Sequence, residues 1–233
     1  MTARIFCAID TKNFDEAGIL VKKLKSVVYG FKLGLEFFTA HGPMGIDKIR
    51  THIGDDARIF LDLKLHDIPH TVARAVQSAI QCNPKFLTLH ASGGKAMMQA
   101  AAEVTSAAQA NGLPAPKLLA VTVLTHLDAD DLCSIGQPSD TQGQVLRLAR
   151  LALDSGMQGI VCSPHEIGML RRELPSSFIL MVPGVRLAGS AQDDQKRIMT
   201  PQEAAKLGAD YLVIGRPITQ AADPAAMARS IIL

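Results

Sequence analysis

Short runs of apolar, often β-branched residues alternate with longer amphipathic stretches along the whole chain. The pattern predicts strands over Arg4–Asp10, Tyr29–Leu33, Arg58–Lys64, Phe86–His90, Lys117–Leu124, Gly159–Cys162, Phe178–Val182 and Tyr211–Ile214. These runs are apolar on both faces near their starts, as parallel strands covered by helices must be. Helix-length stretches lie between them, among others Asp15–Val27, Lys95–Ala110, Gln142–Asp154, Glu166–Leu174 and Gln202–Leu207. In the second of these, Met97, Ala101, Val104 and Ala108 recur at helical spacing. Ser163-Pro164 and Thr200-Pro201 each set a capping hydroxyl before a proline at the first helical position. Asn111-Gly112 has the form of a left-handed helix stop. About eight strand–helix units fit one (β/α)8 TIM barrel, a single α/β domain over residues 1–233, whereas an open flavodoxin-like sheet would use fewer strands. No linker rich in Pro, Gly or Ser divides the chain, and its longest irregular stretch is Gly184–Met199.

Composition narrows the function classes. Lys and Arg number 24 against 22 Asp and Glu, a formal charge of +2, which argues against a surface that coats nucleic acid. With no Trp and two Tyr, platforms for stacking bases are also unexpected. Cys7, Cys82, Cys133 and Cys162 are scattered, with no C-x-x-C pair, and read as thiols in a reducing compartment. The apolar start, closed by Asp10, is too short for a signal sequence, and no run reaches the roughly 18 apolar residues of a membrane span. The expectation is a soluble cytoplasmic protein without nucleic-acid or membrane partners.

In such barrels chemistry gathers at the C-terminal ends of the strands. The first predicted strand ends in Asp10, the second carries Lys32, and the third carries Asp62 and Lys64 with Asp67 just beyond. Side chains alternate faces along a strand, so Leu61, Leu63 and Leu65 share one face and Asp62 and Lys64 the other. The outer face meets the helices and takes the leucines, which sends Asp62 and Lys64 inward. The same parity turns Ile5, Cys7, Ile9, Phe31 and Leu33 outward, and Asp10 and Lys32 inward. Such a charge cluster could be a salt-bridge network that only holds the barrel. Its place at the top end, rather than the bottom, favours function.

A second constellation follows the last strand, where Gly215-Arg216-Pro217-Ile218 opens a helix. Glycine lets the backbone approach an anion, and Arg216 can clamp two oxygens. Pro183-Gly184-Val185-Arg186 and Gln195 supply further donors from the preceding loop, so this end reads as a phosphate site.

Laid out in this way, the chain closely resembles the orotidine 5′-phosphate decarboxylase family. The likeness runs through Ala8-Ile9-Asp10, Phe31-Lys32-Leu33-Gly34, Asp62-x-Lys64-x-x-Asp67-Ile68-Pro69-x-Thr71, His90-Ala91-Ser92-Gly93-Gly94, Val121-Thr122-Val123-Leu124-Thr125, Pro183-Gly184-Val185-Arg186 and Val213-Ile214-Gly215-Arg216-Pro217. The resemblance implies cofactor-independent decarboxylation of orotidine 5′-phosphate to UMP, the last step of UMP synthesis. It implies that Lys64 protonates C6, that Asp62 sits beside the substrate carboxylate, and that Lys32 bridges Asp62 and the ribose hydroxyls. Asp10 would hold a ribose hydroxyl, Thr125 the base, and Arg186, Gln195, Gly215 and Arg216 the phosphate. Asp67 and Thr71 would reach into the neighbouring subunit's site, making the protein a homodimer with shared sites. Two positions depart from the commoner pattern: Val182 stands where many relatives carry Thr, and His126 follows Thr125 where Ser is frequent.

Other readings of these residues compete. A metal-dependent sugar-phosphate aldolase or decarboxylase could use Asp10 and Asp62 as ligands, but Lys32 would repel the cation, and no metal is expected. A non-catalytic nucleotide-phosphate sensor would leave the Asp62, Lys64 and Asp67 set unexplained. The seven histidines, His66, His70 and His90 among them, read as hydrogen-bonded structural residues.

Overall fold

The computed structural model describes residues 3–54, 56–186 and 199–231. Eight parallel strands close into a barrel in chain order: β1 (Arg4–Ile9), β2 (Gly30–Gly34), β3 (Ile59–Leu65), β4 (Phe86–His90), β5 (Lys117–Val121), β6 (Gly159–Val161), β7 (Ile179–Pro183) and β8 (Tyr211–Ile214), with β8 pairing back onto β1. The helices are α1 (Phe14–Leu24), α2 (Leu35–Ile53), α3 (Pro69–Ile80), α4 (Lys95–Ala110), α5 (Ala129–Ser134), α6 (Thr141–Asp154), α7 (Ile167–Glu173), α8 (Pro201–Leu207), α9 (Arg216–Thr219) and α10 (Pro224–Ile231). The single α/β barrel expected from the periodicity is present, and α2, α3, α5 and α10 add to the helical stretches that the pattern picks out. Gly42, at φ 59°, and Pro43 break α2 in its middle, which blunts its helical pattern.

The punctuation works locally. Asn13 caps α1 by accepting hydrogen bonds from the N–H groups of Asp15 and Glu16 at 3.0 and 3.2 Å. Thr200 and Glu203 form the reciprocal cap that Thr200-Pro201 foretold for α8. Ser163-Pro164 opens a 3-10 turn, Pro164–Glu166, and only then α7, so the expected helix starts one residue later. Gly112 takes φ 72° after α4, the left-handed stop. Strand β5 ends at Val121 instead of Leu124, and just beyond it the Thr122 hydroxyl donates to the Val161 carbonyl at 3.2 Å.

Two hydrophobic layers set up the site. Outside the barrel wall, Ile5, Cys7, Ile9, Phe31, Leu33, Leu61, Leu63 and Leu65 pack on the helices, as the alternation required. Inside, Phe6, Ala8, Phe60, Phe86, Leu119, Ile179, Met181 and Val213 fill the tube. Phe6 is its hub, with Phe60 and Phe86 edge-on at centroid distances of 5.8 and 5.6 Å. Each such fully buried ring stabilises the fold by about 2–3 kcal/mol. Moving up the same inward parity, Phe60 is followed by Asp62, and Phe86 by Thr88 and then His90. The apolar plug gives way to polar groups within one layer.

Candidate active site

Four charged residues alternate in sign across the top of β1, β2 and β3. Lys32 Nζ lies 3.0 Å from Asp10 Oδ1 and 3.6 Å from Asp62 Oδ2, and Lys64 Nζ lies 2.7 Å from the same Asp62 oxygen. Burial deepens towards the middle: Asp62 is 8% exposed, whereas the Asp10 side chain is 56% exposed. Burial alone would raise the Asp62 carboxyl, but the Lys32 and Lys64 ammoniums and hydrogen bonds from Lys64 and Thr88 outweigh it and hold it below the usual carboxylate range. The group is therefore a fixed anion at neutral pH.

Its second oxygen is held by a residue that the sequence reading passed over. The Thr88 hydroxyl donates to Asp62 Oδ1 at 2.9 Å, and accepts from the Lys64 backbone N–H at 2.9 Å. Lys64 itself has φ 49°, a left-handed conformation costing a non-glycine residue about 1 kcal/mol. The pairing of β3 with β4 explains this. Leu61 pairs with Leu87 and Leu65 with Leu89, so β3 uses four residue steps where β4 uses two. Such a bulge re-aims the side chains it carries.

These residues border a cavity of about 210 Å³. Lys32, Asp62 and Lys64 line one side, Phe60, Val121, Val123, Val161 and Val213 supply apolar wall, and Thr125 stands at its edge. Apolar walls around converging charges lower the local dielectric and strengthen each electrostatic contact. Gly34 makes room for this arrangement, since a Cβ there would lie 3.0 Å from Lys32 Nζ and 3.4 Å from Asp10 Oδ1. Gly215 does the same on the opposite side, where a Cβ would sit 3.3 Å from that of Ala8.

The remaining candidates occupy the rim. Arg186 and Arg216 are exposed at the C-terminal ends of neighbouring strands β7 and β8. The helix after Gly215 is a single turn, α9, so its contribution to an anion is free N–H groups more than a dipole. Gln195, and most of the Gly184–Met199 stretch, lie outside the described residues. Asp67 and Thr71 are exposed past the end of β3, and Asp67 Oδ1 accepts from the Ile68 N–H at 2.6 Å. Within one chain, then, the structure brings together Asp10, Lys32, Asp62 and Lys64, with Thr125 at the same cavity, while Asp67 and Thr71 are exposed and are not among the residues lining it. Val182 is fully buried, and His126 is exposed. His66 and His90 stack at 5.4 Å between ring centroids, and burial, aided by His66 and Lys64, keeps His90 below the ordinary imidazole range. Among the described residues no group of three His, Cys, Asp or Glu side chains is arranged to hold a metal.

Comparison with known proteins identifies the family. Residues 3–231 match the orotidine 5′-phosphate decarboxylase / HUMPS family. The chain is 49% identical over 228 residues to the orotidine 5′-phosphate decarboxylase of Gluconobacter oxydans, covering 98% of this chain and 95% of that protein. It is 47% identical over 232 residues to that of Opitutus terrae, covering 100% and 98%. The crystal structure of orotidine 5′-phosphate decarboxylase from Lactobacillus acidophilus superposes with a TM-score of 0.85 at 34% identity, covering 99% of this chain and 97% of that one. With its fold, its charged barrel mouth and these matches in agreement over nearly every residue, the chain belongs to the orotidine 5′-phosphate decarboxylase / HUMPS family.

Proposed function

We infer that this chain converts orotidine 5′-phosphate to UMP and CO2, a step of pyrimidine biosynthesis, with Lys64 protonating C6 as the carboxylate departs. It is a carboxy-lyase, the class of enzyme to which the name orotidine 5′-phosphate decarboxylase of its relatives corresponds. The observation that carries the assignment of Lys64 is the Asp62 anion, buried at the cavity edge with the Lys64 ammonium 2.7 Å away.

Loss of CO2 leaves an electron pair in an sp2 orbital at C6 that the pyrimidine π system cannot absorb. Stabilisation must come from fixed charge beside C6 and from a proton donor already in place. Lys64 supplies both, and Asp62 favours its charged form while fixing its direction. Asp62 also stands where the substrate carboxylate would lie and opposes that charge until CO2 is released. Lys32, between Asp10 and Asp62, is placed to bridge Asp62 and the ribose hydroxyls, with Asp10 holding one of them. The same ammonium occupies the space between the two carboxylates that a divalent cation would need. Thr125 at the cavity edge contacts the base, while Gly215, Arg186, Arg216 and Gln195 grip the phosphate. Phosphate binding far from C6 supplies energy that organises the site, since remote contacts raise turnover when they assemble reacting groups.

Asp67 and Thr71 act in a second copy of the chain. Their exposure supports this, and so does Ile68 beside them, an apolar side chain 66% exposed on the rim that a second copy would cover. The functional unit is a homodimer with shared sites. The cytoplasm suits the free thiols of Cys7, Cys82, Cys133 and Cys162. Among the described residues no helix is long and apolar enough to cross a membrane.

The deciding experiment follows the loss of orotate absorbance with purified protein, in the presence and absence of EDTA. Turnover should be unaffected by the chelator, and Lys64→Ala should lose about 10³-fold or more in kcat while still binding UMP. Turnover near the parent value in Lys64→Ala would remove the proton-donor role.

A further inference from the structure

We propose that Thr88 is a positioning residue for the decarboxylation: its single hydroxyl locks both the Asp62 carboxylate and the Lys64 backbone into their working geometry. The proposal rests on the roles assigned above to Asp62 and Lys64.

A threonine hydroxyl has one proton to give and lone pairs to receive. Here the Lys64 N–H is received at 2.9 Å, and the proton goes to Asp62 Oδ1 at 2.9 Å. The direction of the relay is fixed, because a backbone N–H can only donate and an ionised carboxylate can only accept. Each hydrogen bond polarises the other, and the second ends on a charge.

The contact also divides labour between the Asp62 oxygens. Oδ1 is taken by Thr88, and Oδ2 faces both Lys64 Nζ at 2.7 Å and Lys32 Nζ at 3.6 Å. Rotation of the carboxylate would break the Thr88 bond before it could change which oxygen meets the ammoniums. Thr88 thereby sets which oxygen meets the proton donor.

The bulge in β3 explains why a side chain is needed. Because β3 uses four residue steps against two on β4, the Lys64 N–H donates to the Thr88 side-chain oxygen. Without that oxygen the left-handed φ of 49° at Lys64 would lose one of its restraints, and the ammonium would sweep over a wider arc. Thr88 is 0% exposed, so bulk water has no access to take its place.

Thr88→Val keeps the shape and removes the hydroxyl. We expect kcat to fall about 10- to 100-fold while the dissociation constant of UMP moves less than about threefold. Thr88→Ser, which retains both hydrogen bonds, should restore kcat to within about threefold of the parent. A hydroxyl that mattered only for folding would shift the melting temperature and leave this split, and its rescue, unseen. Turnover in Thr88→Val within about twofold of the parent, or a folded Thr88→Ser as slow as Thr88→Val, would overturn the proposal. Should Thr88→Val fail to fold, Thr88→Cys replaces it under the same criteria, its thiol being a weak donor and acceptor. Lys64→Ala measured alongside separates the two levels. If Lys64→Ala turns over normally, the catalytic assignment fails, and if Lys64→Ala alone is impaired, only the role of Thr88 fails.

Discussion

At the N-terminal end of the barrel, Arg4 and Arg58 each lie 4.9 Å from the centroid of the Tyr29 ring, and Lys85 lies 5.8 Å from it. At the C-terminal end, Lys32 and Lys64 converge instead on the carboxylates of Asp10 and Asp62. None of the three lower cations is in ion-pair range of a described carboxylate. An aromatic face attracts a cation without itself being charged, so the lower cluster remains partly hydrated and asks little of its surroundings. The upper cluster holds an ionised carboxylate that is nearly sealed from water, and tolerates it only because two ammoniums and a hydroxyl are aimed at it. One end uses charge to finish a surface. The other concentrates charge of both signs in a confined space, which is a costly arrangement to keep unless it acts on something.

Substitutions can test how far the two ends differ. After Lys64→Ala, the largest loss is expected from Arg216→Ala on the rim, with kcat/KM for orotidine 5′-phosphate down about 100-fold or more and the circular dichroism spectrum unchanged. Normal kcat/KM in that variant would take the phosphate away from Arg216. Gly34→Ala should lower kcat/KM about tenfold, because the added methyl would press on Lys32 Nζ, 3.0 Å from its position, and displace the ammonium from between Asp10 and Asp62. A crystal structure of the variant with Lys32 unmoved would discount that cause. The smallest effect on activity belongs to Tyr29→Leu below, where kcat/KM should be unchanged while the melting temperature falls by about 3–6 °C through loss of the cation–ring contacts. A drop in activity there would erase the contrast between the ends.

Much of the upper cluster was legible in the residue order. Leucines on alternate positions of β3 fixed which face met the helices, and Asp62 and Lys64 had to take the other. The same parity placed Asp10 and Lys32. What that alternation could not convey was the bulge, since a strand with two extra residue steps keeps its alternation of types and changes only its partner register. Lys64 was therefore expected on the inner face but not in a left-handed conformation. Thr88 escaped for a related reason: in Phe86-Leu87-Thr88-Leu89-His90 a threonine reads as a β-branched strand former. Its signal was the inward parity shared with Phe86 and His90, one layer above the aromatic plug. The proposed role of Asp67 and Thr71 on the exposed rim calls for a second chain, which periodicity within one chain does not encode.

The aromatic plug has a consequence for traffic. With Phe6, Phe60 and Phe86 filling the lower half of the tube, the cavity has its doorway at the upper rim. If the nucleotide sits as proposed, with its phosphate at Arg186 and Arg216 on the rim, gas released at C6 leaves past the sugar and phosphate from which it came, and the order of departure becomes a property of the architecture.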